Sequence, residues 1–401
     1  MNQQLHRNRI RTLSIIFLFL PALIVPVDAL SQQQDSTAAD SVLLRQIEQQ
    51  LGETEETSGN ERQPSTTNTT RTQGVRATSA NLNPDISAIG DFRSLYTSEG
   101  DRNWDAFVQG VEFSLRSVID PYARADFYPV FEGEGGELNA KIEEAYLTTL
   151  SLPLNLQLKA GKFRQSFGRM NLVHRHALPV IDVPVAYEAF MGEAMIDQGA
   201  SLSWLIPNPS FYQELIVEIT RGPDESPLFH YSEGNEVMRM AHLKNFWSLG
   251  DNATLELGFS GAIGENDSLQ TSRLGGIDIT YKWKPLQRST YKSFEWQTEL
   301  FFSDVETGPG QSVDAWGLYS WMQYQVARRW FLTGMYSYAQ QPFNSDLEEQ
   351  AISANLGWYA TEFQKLEIGP QLTTESGFGD SEFSLRFRWV FVIGAHGAHQ
   401  Y

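Results

Sequence analysis

Hydrophobic and polar residues alternate along most of the chain after residue 82. The stretch 154–161 shows the pattern clearly, since Leu154, Leu156, Leu158 and Ala160 alternate with Asn155, Gln157, Lys159 and Gly161. A period of two places the apolar side chains on one face of a β-strand and the polar ones on the other. In a secreted sandwich the apolar face would meet a second sheet, whereas in an outer-membrane barrel it meets lipid.

The alternation predicts sixteen strands, and the pattern is compatible with 14 to 18. They lie near residues 85–96, 106–118, 122–131, 141–152, 154–167, 197–206, 211–221, 237–247, 253–263, 273–283, 291–303, 314–326, 329–339, 351–360, 365–374 and 382–393. An even number of strands would place both ends of the barrel on the periplasmic side.

The connections between these predicted strands alternate in length. Short turns are expected near 120–121, 153, 207–209, 249–252, 285–288 and 327–328, and long links at 98–103, 170–196, 222–236, 264–272, 304–313 and 340–350. Two outer links, 132–137 and 375–380, are brief and rich in glycine. This asymmetry is typical of an outer-membrane barrel with periplasmic turns and longer outer loops. We therefore predict an all-β fold, a 16-stranded antiparallel transmembrane β-barrel over residues 82–401.

The last predicted strand supports this assignment. Phe383, Leu385, Phe387, Trp389 and Phe391 alternate with Ser384, Arg386 and Arg388. An arginine that faces lipid at the bilayer midplane costs about 2–4 kcal/mol, so both arginines are expected to face a wet lumen.

The chain begins with features of a secretory signal peptide over residues 1–29. Arg7, Arg9 and Arg11 precede an apolar run over 13–25, and cleavage is expected after Ala29. A retained membrane anchor is the alternative, although the run is short for a spanning helix. Residues 30–81 are expected to form a disordered periplasmic arm, because 31–80 contain no aromatic residue. Within it, 41–51 has helical spacing and could mediate self-association.

Composition narrows the partners and the chemistry. A formal net charge of −19 argues against nucleic acid or anionic lipid as a partner. Carboxylates that line a lumen would favour cations. The chain has no cysteine, which excludes disulfides and thiolate metal sites. No Gly-x-Ser-x-Gly elbow stands out, and we predict that the protein is not an enzyme.

Several motifs together resemble a bacterial outer-membrane porin-like β-barrel family, close in style to phosphate-selective porins and to barrels labelled zinc-regulated TonB-dependent receptors. They are Asn83-Pro-Asp-Ile-Ser-Ala-Ile-Gly90, Ile142-Glu-Glu-Ala-Tyr-Leu147, Gly161-Lys-Phe-Arg-Gln-Ser-Phe-Gly-Arg169, His174-Arg-His176 with Asp182, Gly199-Ala-Ser-Leu-Ser-Trp204 and Ile393-Gly-Ala-His-Gly-Ala-His-Gln-Tyr401. The resemblance implies an outer-membrane location in a Gram-negative bacterium, with outer-membrane lipid, lipopolysaccharide and the barrel-assembly machinery as partners. It leaves a homotrimer and a monomer both open.

The chain departs from both relatives in this resemblance. A TonB-dependent receptor carries a plug domain and a barrel of about 22 strands, for which this chain is too short. The resemblance therefore does not imply energised uptake. Phosphate-selective porins are expected to have a basic lumen, which disagrees with the acidic composition here.

In general porins the third outer loop folds inward and sets the narrowest point of the pore, and the resemblance implies this role for 170–196. The predicted constriction residues are the cations Lys159, Arg164, Arg169 and Arg175 and the anions Asp182, Glu188 and Glu193. Opposed charges of this kind select permeants by charge and size. Alternatively, these residues pair with one another and only hold the loop in place.

The same loop contains a candidate metal site. His174 and His176 are two residues apart, so in an extended segment they point the same way, and with Asp182 or Glu193 they could bind Zn²⁺ or another divalent ion. A divalent ion such as Zn²⁺ is the one cofactor that the residues suggest. The alternative is two structural histidines that form hydrogen bonds within the loop.

The sequence thus favours an outer-membrane channel for passive diffusion of small hydrophilic solutes or ions. Two alternatives stay open: a metal-responsive surface or uptake protein that uses the histidine pair, and a barrel closed by its own loops with a scaffold role.

Overall fold

The computed structural model describes residues 84–98, 104–134, 137–223, 225–230, 237–376 and 381–394 of the 401-residue chain. The predicted signal peptide (1–29) and the predicted arm (30–81) with its short helix near 41–51 lie outside the described residues. They stay predictions.

Sixteen strands in the described residues form one closed antiparallel barrel, as predicted. In chain order they are β1 (Asp85–Thr97), β2 (Trp104–Asp120), β3 (Ala123–Glu134), β4 (Glu137–Thr149), β5 (Leu156–Arg164), β6 (Ile196–Ile206), β7 (Tyr212–Thr220), β8 (Met238–Leu249), β9 (Ala253–Glu265), β10 (Thr271–Trp283), β11 (Phe294–Gly308), β12 (Gln311–Ala327), β13 (Trp330–Gln341), β14 (Asn344–Thr361), β15 (Gln364–Glu375) and β16 (Ser381–Gly394). Each strand pairs with its neighbours in the chain, and β16 pairs with β1 to close the barrel.

The two faces of the strands differ in the way the alternation predicts. On β16 the side chains of Phe383, Phe387 and Trp389 point outward and are 36–42% exposed, while Arg388 points inward and is fully buried. Leu158 on β5 is also exposed, at 38%. Apolar side chains therefore cover the outer surface, where a bilayer would contact them, and the charged side chains of the strands face the lumen.

Two of the predicted outer loops are wrong. The predicted loops 304–313 and 340–350 are mostly strand, because β11 and β12 meet at a turn of two residues and so do β13 and β14. The ends of these strands carry acidic residues such as Asp304, Glu306 and Glu348 on a backbone that remains paired. The hydrophobic alternation therefore stops before the strand does, and the sequence pattern places the loop too early.

Strand β5 is shorter than predicted at both ends, since it begins at Leu156 rather than at Leu154 and ends at Arg164 rather than at residue 167. The chain then leaves the wall, and residues 165–195 run through the lumen before β6 begins. We call residues 165–195 the lumen segment. It contains one α-helix, α1 (Val185–Met191), which the sequence pattern did not predict. Among the described residues, no helix is both long and apolar enough to cross a membrane, a finding with no bearing on crossing by strands.

Candidate functional site: the lumen and its inward-folded segment

The lumen segment crosses the interior of the barrel and contacts inward-facing side chains on many strands. The backbone amide of Ser166 donates to Glu218 on β7, and the amide of Met170 donates to Glu299 on β11 at 2.7 Å. Further along, the amide of Ala186 donates to Ser337 on β13 at 2.9 Å. These contacts are far apart around the wall, so the segment spans the lumen instead of lying along one strand.

Helix α1 is held by an apolar core inside the barrel. Tyr187, Phe190 and Met191 are at most 2% exposed. The ring of Phe190 stacks on that of Phe301 from β11, with centroids 5.6 Å apart. Leu228 and Phe229, from the connection after β7, join the same core. Full burial of one such side chain stabilises by about 1.5–3 kcal/mol, so this core fixes the segment against β11, β12 and β13.

The turn that ends α1 depends on a glycine. Gly192 has φ +70°, and its amide donates to the carbonyl of Glu188 at 2.9 Å. A Cβ atom here would lie 2.2 Å from the carbonyl oxygen of Glu225. The conformation and the close backbone approach both require glycine.

Ion pairs and carbonyl contacts hold the opposite side of the segment. Arg388 on β16 is fully buried, pairs with Asp91 on β1 at 2.8 Å, and donates to the carbonyl oxygens of Val180 and Arg175. Lys365 on β15 donates to the carbonyl of Leu178 at 3.0 Å. Guanidinium and ammonium groups thus donate to carbonyl groups of the segment between Arg175 and Val180.

Asp182 belongs to this charged side. Its two carboxylate oxygens pair with Arg93 at 2.8 Å and with Arg386 at 2.5 Å. The candidate metal site with Asp182 required this residue to lie beside the histidines. The structure instead pairs Asp182 with these two arginines. Two flanking guanidinium groups already neutralise its charge, which explains its position.

The histidines instead meet a glutamate of β2. The Nδ1 atoms of His174 and His176 lie 3.0 Å and 3.2 Å from Oε2 of Glu112, and Nε2 of His174 lies 2.9 Å from Glu144 on β4. Burial alone would lower the pKa of His174, but the Glu112 carboxylate and hydrogen bonds to Glu112 and Glu144 outweigh it and raise the pKa to about 10. Burial prevails at His176 and lowers its pKa.

A bulge explains how two consecutive glutamates reach the same region. In the β3–β4 pairing Tyr128 faces Glu144 and Pro129 faces Ile142, so Glu143 has no partner residue. Side chains of a regular strand alternate between faces, whereas a bulge lets neighbours share one. Both Glu143 and Glu144 contact the buried guanidinium of Arg164.

A cavity of about 80 Å³ lies between the lumen segment and strands β1–β4. Its acidic lining residues are Asp91, Glu112, Glu132, Glu143, Glu193 and Glu225, and its basic ones are Lys141, Arg164 and Arg175, together with His176. Carboxylates thus outnumber permanent cations. Lys141 lies within 4 Å of Glu132, Glu193 and Glu225, so this acidic group surrounds a single ammonium.

The structure places the seven predicted constriction residues in different surroundings. Arg164, Arg175 and Glu193 line the cavity. Arg169 pairs with Glu256 on β9 at 2.7 Å, away from the cavity lining, and Glu188 is exposed on α1. Lys159 lies over the rings of Tyr146 and Phe163, and Asp182 is paired as described above.

The sequence interpretation missed the contribution of strands β1–β4 to this cavity. Asp91, Glu112 and Glu143 were not singled out, although all three line it. Glu112 alternates with apolar Val111 and Phe113, and that pattern marks an inward-facing carboxylate. Glu143 could not be found in this way because the bulge breaks the alternation.

Comparisons with known proteins agree with this architecture. No protein-family model matches the sequence. An uncharacterized protein of Aquifex aeolicus (strain VF5) is 29% identical over 341 residues, which cover 72% of this chain and 69% of that protein.

Three solved structures share the fold at low sequence identity. They are OprB of Pseudomonas putida (8% identity, TM-score 0.57, 78% of this chain and 94% of that one), an anion-selective porin from Comamonas acidovorans (8%, 0.56, 78% and 99%) and the outer membrane channel DcaP of Acinetobacter baumannii (10%, 0.53, 79% and 98%). The chain has the fold of these outer-membrane porins and channels. The likeness does not extend to phosphate selectivity or to a TonB-dependent receptor.

Proposed function

We propose that the protein is an outer-membrane channel for passive diffusion of ions and small hydrophilic solutes. In this proposal the path runs between the lumen segment and strands β1–β4, and the segment narrows it. The observation that carries the proposal is the uneven filling of the lumen. Apolar side chains fill the side next to β11–β13, while a charged cavity lies beside β1–β4.

The size of this cavity limits the permeant. About 80 Å³ holds only a few water molecules. The proposal therefore restricts passage to ions and very small solutes while the segment keeps this position.

The lining charges give the proposed channel a preference for cations. Six carboxylates and three permanent cations line the cavity. A narrow, poorly hydrated path strengthens the effect of such an excess on ion selectivity. The selectivity of the anion-selective porin from Comamonas acidovorans does not transfer here, because the likeness concerns the fold alone.

Reversal potential in a potassium chloride gradient tests this proposal on purified protein in planar bilayers. We expect discrete conductance steps and a reversal potential of the sign for cations. The double substitution Glu193→Gln and Glu225→Gln removes two carboxylates near Lys141 and is expected to reduce that preference. Glu188→Gln is the matched control, because Glu188 lies on the same segment outside the cavity lining. Anion preference in the unmodified protein would contradict the proposal.

The apolar core favours a second candidate, a barrel closed by its own segment. If the core and the ion pairs leave no continuous path, the protein would form a sealed scaffold in the membrane. The same bilayer experiment separates the two candidates, because a sealed barrel inserts without conductance steps.

A further inference from the structure

We propose that Glu112, His174 and His176 form a binding site for a divalent transition-metal ion such as Zn²⁺. Binding at this site does not require an open channel. Only its expected effect on current rests on the function proposed above.

The three side chains converge on one point from two separate elements. Glu112 belongs to β2, and the two histidines belong to the lumen segment. One donor atom from each lies within 4.8 Å of the others, and all three residues are buried. The Nδ1 atoms of both histidines point at the same carboxylate oxygen of Glu112, at 3.0 Å and 3.2 Å. A metal bound here would replace these hydrogen-bonded contacts with bonds to both Nδ1 atoms and to the carboxylate.

The second oxygen of Glu112 provides independent support. Glu112 is 7% exposed, and its Oε1 atom has no hydrogen-bond partner among the described residues. A buried carboxylate oxygen without a partner is costly, and native structures rarely leave one in that state. A cation held between the carboxylate and the imidazoles would satisfy this oxygen.

Glu144 completes the arrangement expected around a metal-binding histidine. Its Oε1 lies 2.9 Å from Nε2 of His174, the ring nitrogen opposite the proposed ligand atom. Histidine ligands usually donate their other N–H group to a carboxylate or a carbonyl, which fixes the ring orientation and the tautomer. Glu144 is itself held, because it accepts a hydrogen bond from the amide of Arg164 at 3.0 Å.

The donor set indicates both the metal and its accessibility. Two imidazole nitrogens and one carboxylate suit Zn²⁺ and its neighbours, whereas Ca²⁺ and Mg²⁺ prefer oxygen ligands alone. Three protein ligands leave a fourth position for water or a solute. Glu112 and His176 both line the 80 Å³ cavity, so an ion can exchange through it.

A calorimetric titration of the purified full chain in detergent with Zn²⁺ tests the site. We expect one ion per chain. His176→Ala and Glu112→Gln are expected to weaken zinc affinity by about 100-fold or more. Removal of a carboxylate that only hydrogen-bonds to a metal ligand already costs about 10–100-fold in affinity. Glu144→Gln should fall within that smaller range. His242→Ala is the control, a buried lumen histidine of β8 whose Nδ1 contacts Ser260 instead.

Two results would overturn the proposal. One is the absence of zinc binding at micromolar concentrations, and the other is unchanged affinity in a folded His176→Ala variant. If the variants fail to fold, X-ray absorption of the zinc-loaded unmodified protein decides the question. Two imidazole ligands are expected, and a spectrum without imidazole would contradict the site.

Conductance with added Zn²⁺ addresses the link to transport. A bound dication beside the cavity should reduce cation current in the unmodified protein and have less effect in His176→Ala. Zinc binding to a barrel that never conducts would refute the channel and leave the metal site intact. A conducting barrel without zinc binding would refute the metal site alone.

Discussion

The two sides of the lumen differ in what they offer the segment between them. Strands β11–β13 present Phe301, Tyr319 and Met335 to helix α1, and water is excluded there. Strands β15, β16 and β1–β4 present arginine, lysine and carboxylate groups to the irregular part of the segment. We call the first side the apolar wall and the second the charged wall. The apolar wall fixes the position of the segment, and the charged wall borders the space that remains.

The two walls therefore have separate roles: the apolar wall holds the segment in place, and the charged wall borders the proposed path. Side chains in an apolar core are close-packed and tolerate little displacement, so α1 is a fixed anchor for the lumen segment. Charged groups need partners or water, so the charged wall keeps polar atoms beside a cavity. The account predicts large effects on conductance from changes at the anchor and effects on ion preference from changes beside the cavity.

Phe190→Ala should have the largest effect, because it removes a fully buried ring from the apolar wall. Such truncations cost about 3–5 kcal/mol. We expect lower resistance to denaturant and a conductance several times larger as α1 loosens. Phe190→Leu should change both much less. Unchanged conductance and stability in Phe190→Ala would show that the segment is held elsewhere.

Arg388→Met tests the charged wall. It removes a fully buried partner of Asp91 and takes one hydrogen-bond donor from each of the Val180 and Arg175 carbonyl groups. Loss of one member of a buried ion pair costs about 3–5 kcal/mol, and we expect the lower part of that range because Arg93 still pairs with Asp91.

Arg273→Met is the matched control for this prediction, since Arg273 pairs with Asp304 and Glu306 at an exposed position. It should cost about 1 kcal/mol or less. Denaturant unfolding measures both variants, and equal losses would contradict the distinction between buried and exposed pairs.

Asp182→Asn should have a small effect on stability, about 1 kcal/mol, because its side chain is 31% exposed. The substitution leaves Arg93 and Arg386 without their shared carboxylate. We expect a shift of the reversal potential toward anions with little change in zinc affinity. A large loss of zinc binding would instead restore Asp182 to the proposed metal site.

Much of the barrel could be predicted from the sequence. Strands with one face toward lipid and the other toward the lumen alternate apolar and polar residues, and this pattern is visible in the sequence. Sixteen strands and the outward positions of Phe383 and Leu158 follow from it. The ends of β11 and β14 did not, since acidic residues there remain paired after the alternation stops. Strand pairing depends on the neighbouring strand, which a local pattern does not contain.

The lumen was harder to predict for a related reason. The loop pattern identified the segment and its histidines, but not that Phe190 would be buried inside a barrel or that Glu112 would face His174. An inward-facing residue can be apolar or polar depending on what fills the lumen, so Met335 and Glu112 follow no common rule. The bulge at Glu143 adds a local change of face that no periodicity reveals.

Cysteine accessibility tests the central claim most directly, because the chain has no native cysteine. Gln109→Cys places a thiol in the cavity lining on β2, and Thr333→Cys places one on the inner face of β13, where Thr333 is 1% exposed. A cationic thiosulfonate reagent is then added during single-channel recording. We predict block of the current through Gln109→Cys and no change through Thr333→Cys. Block at Thr333→Cys with none at Gln109→Cys would place the path along the apolar wall and contradict the account.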